Sequence, residues 1–170
     1  MVLFEKLFPV VVAGIAVCMD LRWEKVDNAW LFFCLIVSLG VRIWGSGTFE
    51  LFLGGAGFFV PFLLLGWLSV FRMLGAGDIK LLCVLGFLLG TEKILTCMLF
   101  SFFIGAIISI TIMLSNGIFC QRFLYFYEYI CDLIRTGERR PYYNRGMSLE
   151  KFHFTIPIFL SIILYAGGVY

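Results

Sequence analysis

The stretch GAGDIKLL, residues 75–82, sets an aspartate and a lysine, Asp78 and Lys80, between two of the most hydrophobic segments of the chain. FLGGAGFFVPFLLLGWLSVF (52–71) precedes it and LLCVLGFLLG (81–90) follows it. A charge placed inside so apolar a setting costs on the order of a few kcal/mol, so an acid there marks a functional position by default.

The surrounding composition says what that setting is. Of 170 residues, 62% are hydrophobic and 14% charged, and Phe alone accounts for 20. Mean hydropathy is +1.02. A soluble domain carries about 25% charged residues. A chain of this size cannot hide so much apolar surface from water. The fold class is therefore all-α, as a polytopic membrane protein. A net charge of +2 is too small to imply nucleic acid. The six cysteines (Cys18, Cys34, Cys83, Cys97, Cys120 and Cys131) form no C-x-x-C pair. Neither a metal site nor a redox motif is indicated.

A bilayer core takes about 20 helical residues. Six transmembrane helices are expected, over about 3–21, 28–45, 50–71, 75–91, 94–115 and 152–170, in a single domain covering 1–170. The N-terminal segment lacks an A-x-A site after its apolar core and has mixed charge before it, so it reads as a retained first span. The charge-free cores of spans one and four, Leu7 to Met19 and Leu81 to Thr91, reach only about 20 Å and about 16 Å. Each must draw in neighbours to cross, which brings Asp20 and Asp78 to the membrane boundary.

With six spans the connections alternate sides. One side collects Arg22, Lys25, Arg72, Lys80, Arg122, Arg135, Arg139, Arg140, Arg145 and Lys151; the other has Lys6, Arg42 and Lys93. The positive side is cytoplasmic. Asp20 and Asp78 then fall at the same cytoplasmic face. The long connection 116–151 lies on that side too. Apolar Phe119, Phe123, Phe126, Ile130 and Leu133 recur there at helical spacing among Arg122, Glu128, Asp132 and Arg135. This predicts an amphipathic helix on the inner membrane surface.

Most of the eleven acids have plain roles at span ends or in wet loops. Asp20 and Asp78 stand apart, although Asp20 could be a helix-end charge and Asp78 the N-cap of span four. Gly75 and Gly77 beside Asp78 permit close approach of another backbone. Two carboxylates held together share a proton, so one can serve as base toward water while the other donates to a carbonyl. That chemistry needs no cofactor. His153, the single histidine, reads as an interfacial or packing residue, and no other hydrolase motif is present.

DLRWEKVDN (20–28) followed by GAGDIKLL (75–82) resembles the type IV prepilin peptidases, intramembrane aspartyl proteases of the G-x-G-D class. That family shows D-x-R-x-x-x-I-P-N after its first core helix and G-x-G-D-x-K-L before a later one. Asp20, Arg22 and Asn28 match the first pattern; Gly75, Gly77, Asp78, Lys80 and Leu81 match the second. TIPIFLSI (155–162) is similar to the family's proline-bearing closing segment. One departure is Asp27, which stands where the family has proline, could cap span two, and puts a third acid near the site.

The resemblance implies an aspartic endopeptidase with an Asp20/Asp78 dyad. It would remove the short basic leader of a prepilin or pseudopilin at the cytoplasmic face of the cell membrane, with the substrate helix among the spans. Gly75, Gly77, Lys80, Arg22, Asn28 and Asp27 would support the site or the substrate. The paired C-x-x-C ligands of bifunctional members are missing, so no S-adenosylmethionine-dependent N-methylation is expected. Two other readings use the same acids: a small proton- or cation-coupled transporter, and a non-enzymatic assembly factor.

Overall fold

A computed structural model describes residues 2–45, 48–70, 74–115 and 153–170, together with 124, 127, 128, 130 and 131. Among these residues six long helices occur and no strand: α1 (Val2–Trp23), α2 (Asn28–Gly45), α3 (Thr48–Val70), α4 (Ala76–Leu89), α5 (Thr91–Ser115) and α6 (Thr155–Ala166). The expected surface helix falls on 116–151. There Leu124, Tyr127, Glu128, Ile130 and Cys131 are helical, and the rest of that expectation lies outside the described residues.

Helix α4 is the centre of the bundle, packed against α3, α5, α2 and α1. Beyond Lys80 it is apolar all round, as an enclosed helix must be, and Leu81, Leu82 and Leu85 are fully buried. Helices α3 and α4 approach backbone to backbone. A Cβ built on Gly57 would collide with the Gly86 carbonyl, and one on Gly86 with the Gly57 carbonyl. Small residues at such a crossing allow close van der Waals packing where there is no hydrophobic drive between helices in lipid. Helix α6 closes the bundle against α1 and α5. Its Ser161 Oγ donates to the Cys97 carbonyl of α5 at 2.9 Å, and the Tyr170 hydroxyl donates to the Ser161 carbonyl at 2.8 Å.

The outside of the bundle is apolar as well. On α5, Leu99, Phe103, Ile107, Ile110 and Leu114 form one exposed stripe at spacings of three and four. On α3, Phe52, Phe59, Phe62, Leu63, Trp67 and Val70 are exposed. In water such a surface would aggregate; facing acyl chains it is at home. Two stretches, Phe52–Val70 and Thr91–Ile112, are long and apolar enough to cross a membrane. The span expected over 152–170 is a shorter helix, 12 residues in α6, about 18 Å long. Helix α4 has 14 residues, about 21 Å. Both end at glycines: Gly90, at φ 83°, closes α4, and Gly167 closes α6.

Candidate active site

Three chain segments meet at that end. The first is the last turn of α1 and the loop after it. Glu24 takes a left-handed conformation, φ 54°, while its N–H donates to the Asp20 carbonyl at 2.8 Å. A non-glycine residue in that region costs about 1 kcal/mol, accepted here to stop the helix one turn past Asp20. The chain then turns into α2, where the Ala29 N–H donates to Asp27 Oδ1 at 3.1 Å and the Leu31 N–H to the Asp27 carbonyl at 3.2 Å. Asp27 is thus the N-cap of α2. The exposed Arg22 guanidinium lies over the Trp23 ring, 5.5 Å from its centroid.

The second segment is the start of α4. Gly75, with φ −65° and ψ 135°, is the N-cap. Asp78 is not the cap; it sits in the first turn. Its own N–H donates to the Gly75 carbonyl at 3.1 Å, and its carboxylate folds back beside Gly75. The space beside Gly75 is taken by Asp78 itself: a Cβ there would lie 2.9 Å from Asp78 Oδ2. Gly77 faces Val26 of the first loop, and a Cβ on it would make only ordinary contact at 3.7 Å. Lys80 Nζ donates to Asn28 Oδ1 at 2.8 Å, joining the two motif segments directly.

The third segment is the lead into α6, and sequence reasoning missed it. His153 Nδ1 lies 2.9 Å from Asp20 Oδ2, and Thr155 Oγ1 donates to the same oxygen at 2.7 Å. A carboxylate oxygen accepts, so the ring nitrogen facing it carries the hydrogen. His153, read from the sequence as an interfacial or packing residue, has a further role there: it is a partner of Asp20. The one signal in the sequence was a lone histidine beside the TIP segment. Nothing in the spacing showed that the last helix begins beside the end of the first.

Asp20 and His153 both lie within electrostatic reach of Asp78. The N-termini of α4 and α6 open toward these acids, and helix N-termini favour negative charge by about 0.3–1 kcal/mol each. Two hollows flank the start of α4. A cavity of about 330 Å³ is lined by Asp78, Gly75, Phe102 and Phe154. A larger open groove, about 1320 Å³, runs between α2, α3 and α4. The groove touches neither Asp20 nor Asp78, but it is bordered by Asn28 and Lys80, the latter two residues on from Asp78. Its walls include Leu31, Phe58, Phe62 and Trp67. Among the described residues no cluster of three or more metal-type ligands occurs.

Comparison with known proteins decides which family this arrangement belongs to. The profile of the type IV leader peptidase family matches residues 7–110, more than half of the chain. The chain belongs to the type IV leader peptidase family. Leader-peptidase function in general, and hydrolase chemistry with it, follow from that membership. So do prepilin-type substrates in general, and a membrane protein agrees with the two long apolar helices. The match takes in Asp20 and Asp78 and stops before His153 and Thr155. No curated protein and no solved structure matches the chain.

Proposed function

We propose that this leader peptidase is an intramembrane aspartyl endopeptidase in which Asp20 and Asp78 form the catalytic dyad. The observation that carries the reading is their meeting: two acids 58 positions apart in the chain, on different helices, come within electrostatic reach at one end of the bundle. Two carboxylates so placed share one proton. The base member takes a proton from water as the water oxygen adds to the scissile carbonyl carbon. The acid member gives its proton to the carbonyl oxygen. Collapse of the resulting diol breaks the C–N bond, the leaving amine takes up a proton, and one water is consumed in total.

The substrate is a prepilin-like protein with a short basic leader and an apolar helix. The groove between α2, α3 and α4 is apolar and open to the side, as a site for a helix arriving through lipid should be. Its Asn28–Lys80 border is next to the Asp78 turn, which would bring the peptide after the leader toward the acids. Six crossings, with the dyad at the cytoplasmic face of the cell membrane, agree with the bias of Lys and Arg along the sequence. The family match lends no support to transport or to a purely structural role.

Cleavage in detergent or liposomes tests this. Purified protein is given leader-bearing prepilins and the products are read by mass spectrometry. The wild type should cut at one site behind the basic leader, and Asp20→Asn and Asp78→Asn should each lose at least about 100-fold in rate while folding normally. Full activity in either variant would remove that residue from the dyad.

A further inference from the structure

We propose that His153 and Thr155 are positioning residues for Asp20: the last helix clamps one oxygen of that carboxylate and leaves the other to the reacting water. The inference rests on the aspartyl-peptidase reading above.

Both donors reach the same atom, Oδ2, at 2.9 and 2.7 Å. Two bonds from different directions fix the rotation of a carboxylate that would otherwise turn about its terminal bond. Among the described residues none is seen to donate to Oδ1, which is the oxygen left for water. Thr155 is fully buried. Its hydroxyl has no solvent to turn to, so the bond to Asp20 is what satisfies it. The side chains of His153 and Asp20 are 22% and 15% exposed, held yet within reach of water.

The residue between the two donors serves the other acid. Phe154 packs on Phe102, ring centroids 5.3 Å apart, and walls the cavity that Asp78 lines. One tripeptide, His-Phe-Thr, thus orients Asp20 with its outer members and bounds the space beside Asp78 with its middle one. Pro157, in the first turn of α6, is buried and restricts the backbone there. This clamp comes from outside the segment that matches the family.

The chain holds one histidine, so selective ¹⁵N-histidine labelling of protein without a histidine tag reports on His153 alone. The Nδ1–H tautomer is expected in the wild type, with its signals shifted by Asp20→Ala. Kinetics complete the test. His153→Leu and Thr155→Val should lower kcat about 10- to 100-fold with KM unchanged, since small misplacements of a reacting group cost that much. His153→Asn keeps a donor at the position of Nδ1, and Thr155→Ser keeps the hydroxyl. Both should stay within about threefold of wild type. A residue needed only for folding would not be rescued selectively in kcat. Wild-type kcat in both His153→Leu and Thr155→Val, or histidine signals indifferent to Asp20→Ala, overturns the clamp and leaves the peptidase reading standing. A folded wild type that cleaves no leader-bearing substrate sinks the peptidase reading and this role together.

Discussion

Lys80 Nζ donates to Asn28 Oδ1 at 2.8 Å, tying the first turns of α4 and α2 across 52 positions of sequence. The bond joins the two motif segments directly, at the border of the apolar groove. Because it is exposed, its worth falls below the usual range for a charged donor, to about 0.5–1 kcal/mol. Lys80→Met and Asn28→Ala should each lower the unfolding temperature in detergent slightly. A double-mutant cycle should show coupling, and strict additivity would mean the contact contributes nothing.

Asp27 caps α2 through Oδ1, and that capping bond predicts a particular ranking of substitutions. Asparagine caps as well as aspartate, whereas alanine forfeits about 1 kcal/mol. Asp27→Asn should match wild type in stability and cleavage. Asp27→Ala should be less stable at an unchanged kcat. A large loss of kcat in Asp27→Asn would bring this third acid into the chemistry.

The Gly57–Gly86 crossing leaves no room for a methyl group on either side. Gly86→Ala should cost about 1–3 kcal/mol, the usual penalty for overpacking, and push α3 away from α4. Gly55 and Gly66 on the same helix have open space where a Cβ would go, and Ala at either should be tolerated. Thermal unfolding of the three variants side by side gives the comparison; equal loss in all three would refute a specific crossing.

At the opposite end of the bundle, Arg42 Nη2 donates to the Leu88 carbonyl at 3.1 Å, in the last turn of α4. The guanidinium also lies over the Phe87 ring, 5.6 Å from its centroid. Hydrogen bonds from charged groups are worth about 1.5–3 kcal/mol. Arg42→Met should lower stability by an amount in that range without changing kcat, because no part of the site is near it. A selective fall in kcat would show that α4 transmits strain along its length.

The membrane class, the helical content and the two acids are legible in the chain itself, each for a local reason. Hydropathy is a property of consecutive residues, so α2 begins and ends where it is expected, and α1, α3 and α5 agree within a few residues. Local chemistry also discloses Asp27 as a cap, since a cap bonds to its own next turn. Span length and charge bias bring Asp20 and Asp78 to one level without any knowledge of packing.

Level is not contact, and that is where sequence stops. That Gly75 rather than Asp78 caps α4 depends on which backbone groups the turn leaves open. That α4 is the central helix, with α3 crossing it at two glycines, is decided by shape. Above all, the partners of Asp20 stand 133 and 135 positions away. No periodicity links them, because a hydrogen bond between side chains of different helices follows from how the bundle closes. The sequence alone determined what the helices are and where the charges must stop; only the tertiary structure decided that the last helix would begin beside the first one's end and grip its carboxylate.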